Sequence, residues 1–205
     1  MSRYSIGDNE NLLQDIISHH ESHSTESPWF KNVNRKFIEE QSAFRESLRA
    51  GSLVHLGELG ELSIPYYSFS DAEQGVDTTH LFGVNELIIF AFYYANRERY
   101  SKVVDLGANV GVHSLVLSKL GFAVKAFEPD PIHFKMMAAA FSLNGCDPID
   151  SYEAAVVPDG QSDLISFTRV KGNTTGSHIS GAKAAPYGEL ELFQVAAVAF
   201  STAIH

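Results

Sequence analysis

The stretch VVDLGANVGVHSLVLSKLGFAVKAFEPD, Val103–Asp130, contains the strongest secondary-structure signals of this chain. It begins with a short apolar run that ends at Gly107, which is typical of a buried parallel strand. Apolar residues then recur at helical spacing up to the stop at Gly121: Val112, Leu115, Val116 and Leu120. A second apolar run, AVKAF, follows. The stretch therefore predicts a strand, a glycine turn, a helix and a second strand.

The residues after this stretch continue the alternation. Asp130 and Pro131 have the residue types of a helix N-cap and first turn, and the helix IHFKMMAAAFSLNG should end at Asn144-Gly145. SYEAAVV is predicted as a third strand, and DLISFTRV as another strand after a PDG turn. Strands that alternate with helices predict an α/β fold with a parallel sheet.

The region before this alternation of strands and helices has other patterns. Residues 9–24 and 34–50 have helical patterns, with the loop-like SHSTESPW between them. SLVHLGELGELSIPYYSF alternates apolar and polar residues about two glycines, which predicts a hairpin. After the polar connector DAEQGVDTTH, Asn85 is predicted to cap a helix through ELIIFAFYYANRER. We expect a boundary near residue 76, between a helical and hairpin region (1–75) and the parallel-sheet domain (76–205).

Composition limits the function classes. The chain has 205 residues, 44% hydrophobic and 20% charged, and this balance is that of a globular protein. Its formal net charge is −10, with no cluster of lysine or arginine, which argues against nucleic acid and against anionic membrane surfaces as partners. A small molecule or a neutral polymer such as a saccharide fits this charge better.

The sequence also bears on the cellular compartment. The apolar run LIIFAFYYA is far shorter than a membrane span, and the N-terminus lacks the basic start and apolar stretch of a signal peptide. The single cysteine, Cys146, excludes an internal disulfide framework and a cysteine-rich zinc site. We expect a cytoplasmic protein without a metal site.

Glycines and a carboxylate mark a ligand site after the first strand. Gly107 and Gly111 bracket the turn, where a residue without a side chain permits positive φ and close approach of a ligand. Glu128 lies 23 residues after Asp105, at the end of the second strand, where it could accept both hydroxyls of an adenosyl ribose. The alternative is that the glycines only form a tight turn and that Glu128 caps the next helix.

Two cofactors compete for this site. A dinucleotide fold uses the pattern G-x-G-x-x-G, with the pyrophosphate on helix N-terminal amides. DLGANVG lacks the second glycine, and the carboxylate of Asp105 would repel a pyrophosphate. The same carboxylate suits the ammonium or sulfonium of S-adenosylmethionine, which is therefore the favoured cofactor.

These motifs resemble the FkbM-type branch of the class I methyltransferases. The resemblance extends from Gly83 to Gly160, through VVDLGANVGVHSL, VKAFEPDPIHFKMM, LNG and YEAAVVPDG. It implies a Rossmann-like class I sheet that binds S-adenosylmethionine. The resemblance implies contacts with the methionine part of the cofactor for the turn residues, which are Asp105, Gly107, Ala108, Asn109 and Gly111.

The same resemblance implies further cofactor contacts. Glu128, with Pro129 beside it, would hold the ribose, and Ala154 and Ala155 would lie near the adenine. Glu86, just before the first strand, would face the amino group of the cofactor. The alternative for Glu86 is a solvated carboxylate in the first turn of a helix.

The predicted function is a methyltransferase that moves the methyl group in line from the sulfonium to a hydroxyl, with the acceptor and the catalytic base unidentified. The alternative is a non-catalytic binding module that keeps the fold, and a dehydrogenase is the third hypothesis. His113, on the first turn of the helix after the glycine loop, either contacts the cofactor or substrate or has a packing or capping role. The histidine cluster His19, His20 and His23 is interpreted as a solvated face.

The C-terminal end raises an expectation about the sheet. Class I methyltransferases have seven strands, and FkbM-type proteins carry a D-x-E-G-x-E-like segment on the fourth, which has no counterpart here. We therefore expect a C-terminally incomplete sheet in which Val103–Leu106 lacks its usual partner. Either the run Glu189–Phe200 folds back to cover that edge or another chain does. We expect self-association as a dimer and cofactor binding that is weak or absent.

Overall fold

The computed structural model describes residues 2–7, 10–71, 75–146 and 149–205. Its α-helices are α1 (Leu12–Ser18), α2 (Pro28–Arg49), α3 (Val84–Asn96), α4 (Val112–Lys119), α5 (Pro131–Leu143) and α6 (Phe200–Ala203). Its strands are β1 (Arg3–Ser5), β2 (Leu53–His55), β3 (Glu61–Leu62), β4 (Lys102–Leu106), β5 (Ala123–Phe127), β6 (Asp150–Tyr152), β7 (Ala155–Val157), β8 (Leu164–Val170), β9 (His178–Ile179) and β10 (Leu190–Ala199). Short 3₁₀ turns cover His20–Ser22, Gly57–Leu59, Thr78–Phe82 and Thr174–Gly176.

The predicted parallel sheet is present and consists of β4, β5 and β6. Val103 pairs with Val124 and Leu106 with Phe127, so that β4 and β5 end at the same level. Helix α4 connects these two strands and α5 connects β5 to β6, which confirms the predicted α/β pattern. The glycine turn therefore lies at the carboxyl edge of the sheet, where such folds bind ligands.

The prediction of a single third strand was wrong. SYEAAVV forms two strands, because β6 pairs with β5 whereas β7 pairs in parallel with β10. The chain leaves one sheet at Glu153-Ala154 and enters a second sheet, ordered β7-β10-β8-β9. The predicted strand DLISFTRV is confirmed as β8, antiparallel to β10.

The N-terminal hairpin is confirmed, whereas three helix boundaries were wrong. Strands β2 and β3 pair antiparallel, and β1 adds to β2 in parallel. The first helix is shorter than 9–24 (residue 9 lies outside the described residues), and α2 begins before residue 34. Helix α2 begins at Pro28 because the Ser27 hydroxyl accepts the Phe30 N–H at 3.1 Å. Gly83, not Asn85, is the N-cap of α3.

One hydrophobic core runs through most of the chain. It extends from Ile6, through Phe44 and Phe90, to Ile149, and so crosses the predicted boundary near residue 76. A smaller core of Ala155, Phe167 and Val195 supports the second sheet. The division of the chain into two regions stays a prediction.

The outer edge of β4 has no partner strand among the described residues. Leu106 is consequently 49% exposed, and the prediction that this strand is buried was wrong. The run Glu189–Phe200 does not cover the edge, because β10 lies between β7 and β8. Within the described ranges, no helix combines the length and the apolar character needed to cross a bilayer.

Candidate functional site

The turn after β4 has the left-handed backbone that its glycines predict. φ is +78° at Gly107 and +82° at Gly111, and Asn109 also has a positive φ of 55°. The N–H groups of Gly107 and Ala108 both donate to the carbonyl of Phe127, at 2.9 and 3.0 Å. The turn is therefore bound to the end of β5, and these two amides are not free to hold a pyrophosphate.

The carboxyl group of Glu128 joins the two loops at the ends of β4 and β5. Its Oε2 accepts the N–H of Asn109 at 2.7 Å, and its Oε1 accepts the N–H of Asp130 at 2.8 Å. The side chain is buried, with 5% of the residue exposed. The predicted alternative, that Glu128 caps the next helix, was wrong, because the carboxylate of Asp130 accepts the Ile132 N–H of α5.

Burial also changes the ionisation of this carboxyl group. Removal from water raises the pKa of Glu128 to about 7, although the two backbone N–H groups act in the opposite direction. The nearby carboxylates of Asp130 and Asp105 add to the rise. Glu128 therefore titrates near neutral pH.

Asp105 provides a second carboxylate on the other side of the turn. It is the fourth residue of β4, and its Oδ2 accepts a hydrogen bond from the buried Ser114 hydroxyl at 2.6 Å. This bond orients the carboxylate toward the first turn of α4. Two carboxylates, Asp105 and Glu128, thus flank the glycine turn at the ends of adjacent strands.

The space above the turn is open. A Cβ added at Gly107 would meet no atom within 4 Å. Beside it, the buried Oδ1 of Asn109 has no hydrogen-bond partner in the described part of the chain. A buried acceptor without a partner costs free energy, which a donor on a ligand would recover. The open turn and this acceptor both fit the amino and hydroxyl groups of S-adenosylmethionine.

Gly111 has a different structural reason to be glycine. A Cβ there would lie 2.6 Å from Cγ of Met137 and 2.8 Å from Cε1 of Phe141. The missing side chain therefore allows α4 to pack closely against α5. A contact of Gly111 with the cofactor stays a prediction.

Glu86 lies in the first turn of α3 and is not merely solvated. Its Oε2 lies 2.9 Å from Nε2 of His113, and the other ring nitrogen, Nδ1, lies 3.1 Å from the hydroxyl of Tyr93. The solvated-carboxylate alternative for Glu86 was therefore wrong. Its role toward the amino group of a cofactor stays a prediction.

The remaining predicted cofactor residues are all buried. Pro129 is buried directly after Glu128, and Ala154 and Ala155 are buried where the chain passes from β6 to β7. The structure brings Pro129 to the end of β5, beside the turn. Contacts of Ala154 and Ala155 with an adenine stay predictions.

Sequence reasoning missed a buried ion pair that holds this edge to the second sheet. The guanidinium of Arg169 on β8 contacts both oxygens of Asp130 at 2.7 Å, and its third nitrogen contacts Glu191 at 2.8 Å. Burial alone would raise the pKa of Asp130, but the hydrogen bonds from Arg169 hold it below its ordinary value. The two residues are 39 positions apart, so only the fold reveals the pair.

Two of the three N-terminal histidines contact an aromatic ring and are not purely a solvated face. His19 and His23 pack against the ring of Trp29, with centroids 5.8 and 5.2 Å away. In the ranges that the structure describes, no group of three or more histidine, cysteine or acidic side chains could hold a metal ion.

A partly open cavity lies elsewhere in the molecule. It has a volume of about 250 Å³ between β1, α2 and α3, and Tyr4, Phe37 and Leu87 are among its lining residues. None of its lining residues belongs to β4, the glycine turn or β5. This cavity is the competing place for a ligand.

Comparison with known proteins gives a limited match. No family model matches the chain. Over 71 residues, 35% of this chain and 27% of the relative, it is 35% identical to ribosomal RNA small subunit methyltransferase J of Bdellovibrio bacteriovorus. The chain thus spans about a quarter of the length of this relative.

A solved structure gives a weaker match. A SAM-dependent methyltransferase from Agrobacterium tumefaciens aligns with 34% of this chain and 24% of its own, at 20% identity and a TM-score of 0.32. The 71-residue similarity agrees with the methyltransferase class that the motifs imply, and it does not distinguish the FkbM-type branch.

Proposed function

We propose that this chain carries the cofactor-binding part of an S-adenosylmethionine-dependent methyltransferase whose acceptor is a hydroxyl of a small molecule or saccharide. The observation that carries the proposal is the open left-handed turn at Gly107 between two carboxylates, Asp105 and Glu128. The 71-residue similarity to a methyltransferase supports the same class of reaction.

The residues have distinct roles in this proposal. The carboxylate of Asp105 and the unpaired Oδ1 of Asn109 attract the ammonium of the methionine part. Glu128 accepts the ribose hydroxyls with the lone pairs that its two backbone donors leave free. A dinucleotide fits poorly, because Asp105 would repel its pyrophosphate. A non-catalytic module that only binds the cofactor is the second candidate, supported by the open edge of β4.

The FkbM-type assignment and a cytoplasmic location belong to the proposal as well. The first rests on the paired motifs DLGANVG and FEPDP, and the second on the single cysteine, Cys146. The acceptor class rests on the net charge of −10, which disfavours RNA.

Turnover of methyl-labelled S-adenosylmethionine tests the proposal. The acceptor panel contains saccharides, small alcohols and ribosomal RNA, and label should appear on a saccharide or small-molecule hydroxyl. Transfer to RNA alone would overturn the acceptor class. Binding of S-adenosylhomocysteine without any transfer would support the non-catalytic module, and the absence of both would overturn the methyltransferase proposal.

The ionisation of Glu128 predicts a pH-dependent affinity. Ribose hydroxyls donate to the ionised carboxylate, so binding favours the charged form. With a pKa of about 7, about a tenth of the group is charged at pH 6. We expect S-adenosylhomocysteine to bind about 10-fold more weakly at pH 6 than at pH 8.5. Glu128→Gln should bind more weakly than the wild type and lose this pH dependence, and an equal dependence in both proteins would contradict the ribose assignment.

We also propose that the unpaired edge of β4 pairs with a second copy of this chain. Edge strands with free N–H and C=O groups are templates for association, and Leu106 is half exposed on this one. Sedimentation should show a dimer, and Leu106→Lys should weaken it at least about 10-fold. Leu143→Lys, at an exposed leucine on α5, is the matched control and should have no effect. A wild-type monomer at all concentrations would contradict the pairing.

A further inference from the structure

Three side chains connect α3 to α4 directly beside the glycine turn. Glu86 and Tyr93 lie seven residues apart, which is two helical turns, so both face the same side of α3. Between them lies the imidazole of His113, 2.9 Å from the Glu86 carboxylate and 3.1 Å from the Tyr93 hydroxyl. The ring of Phe90 packs edge-on against this imidazole at 5.1 Å. The imidazole is thereby fixed in position and orientation.

The hydrogen bonds assign the protons of this group. An ionised carboxylate only accepts, so Nε2 of His113 carries the hydrogen that Glu86 receives. Burial, together with the carboxylates of Asp105 and Glu86, raises the pKa of Tyr93 to about 12. Its hydroxyl therefore stays protonated at neutral pH. In the neutral imidazole with its hydrogen on Nε2, Nδ1 accepts the hydrogen bond from this hydroxyl. The lone pair of Nδ1 is left directed at a hydroxyl group.

The position of this lone pair matters because His113 is two residues beyond Gly111. Tyr93 also lies within electrostatic reach of Asp105 at the end of β4. A basic nitrogen, held by a carboxylate and directed at a hydroxyl, therefore stands beside the proposed position of the methionine part. About a quarter of the His113 side chain is exposed, so a substrate can reach it.

We propose that His113 is the general base of the methyl transfer. The acceptor hydroxyl displaces the Tyr93 hydroxyl and takes its place at Nδ1 of His113. This inference rests on the proposed function. It requires only that the acceptor carries a hydroxyl group. Glu86 then acts as the residue that positions the imidazole of His113.

In this reaction the acceptor oxygen forms a bond to the methyl carbon while the bond between that carbon and sulfur breaks. The electron pair of the broken bond stays on sulfur, which becomes a neutral thioether. The hydroxyl proton passes to Nδ1, and its bonding pair stays on the oxygen. The Glu86 carboxylate stabilises the imidazolium that results. General base catalysis of this kind contributes typically about 10²- to 10⁴-fold.

The rival explanation is that the three side chains only hold α3 against α4. Substitution of His113 separates the two explanations. His113→Gln can still donate to Glu86 but offers no basic nitrogen, and His113→Ala leaves a space that imidazole can fill. His20→Ala is the control, since His20 is an exposed histidine in the N-terminal region.

The experiment measures turnover at saturating S-adenosylmethionine with the acceptor found in the panel, S-adenosylhomocysteine affinity, and the thermal midpoint. We expect both His113 variants to lose at least about 100-fold in turnover, with affinity within about threefold of the wild type. Added imidazole should restore at least about 10-fold to His113→Ala and nothing to His113→Gln. His20→Ala should match the wild type. If the three side chains only hold α3 against α4, the His113 variants should instead have a lower thermal midpoint, and imidazole should not restore turnover.

Two results would overturn the inference. Turnover of His113→Gln near the wild-type rate would show that His113 is not the general base, and it would leave the proposed function intact. Side-chain ¹⁵N spectra of the wild type that show the proton on Nδ1 of His113 and the lone pair on Nε2 would also rule out this base. This measurement needs no acceptor molecule. Failure of the wild type to bind S-adenosylhomocysteine would overturn the proposed function and this inference together.

Discussion

Gly107→Val is expected to weaken S-adenosylhomocysteine binding at least about 100-fold. If the wild type itself binds this ligand weakly, binding by the variant should be undetectable. The residue has a φ of +78°, and its Cβ would extend into the open space above the turn. A β-branched side chain there would occupy the volume that the ligand must enter. Titration followed by NMR measures the loss, because that method detects weak binding.

A matched control separates the loss of space from backbone strain. Gly121, at the other end of α4, has a φ of +91° and equally open space around an added Cβ. Gly121→Val therefore carries a comparable strain of about 1–3 kcal/mol far from the proposed site. Both variants should lose similar stability, but only Gly107→Val should lose the ligand. Equal affinity in the two variants would contradict the assignment of the turn.

Arg169→Met is expected to lower the free energy of unfolding by about 3–5 kcal/mol, the usual effect of removing one partner of a buried ion pair. The variant leaves the carboxylate of Asp130, of which 1% of the side chain is exposed, without its bidentate partner. Urea unfolding measures the change. Lys171→Met, one residue beyond the end of β8, removes the exposed pair with Glu189 and should leave the midpoint unchanged.

The ion pair also predicts how the effect varies with pH. The pKa of Asp130 is depressed in the folded state, so its contribution is present above the unfolded pKa of about 4 and is lost as pH falls through the folded value. The stability difference between the wild type and Arg169→Met should therefore shrink in acid. A difference that is constant down to the lowest pH at which the protein folds would contradict the pairing.

The sequence predicts the elements whose signals are local. The helix start at Asp130-Pro131 and the left-handed Gly107 follow from the residues themselves, and both are present. The break in the third strand could not be predicted, since it depends on two strands, β5 and β10, that are distant in sequence.

The same distinction applies to the candidate site. Glu128 was found by its spacing from Asp105, whereas its bonds to Asn109 and Asp130 required the folded loops. The pair of Glu86 with His113 spans 27 positions, and no local pattern indicates it. The sequence therefore does not reveal side-chain partners that are distant along the chain, and the proposed base, His113, is held by two such partners.

An amide-resolved NMR titration of ¹⁵N-labelled protein with S-adenosylhomocysteine would show whether the turn between Asp105 and Glu128 binds S-adenosylmethionine. We expect saturable shifts that are largest at Gly107, Asn109 and Glu128. Shifts centred instead on Tyr4, Phe37 and Leu87, around the cavity between β1, α2 and α3, would contradict it, as would the absence of any shift at millimolar ligand.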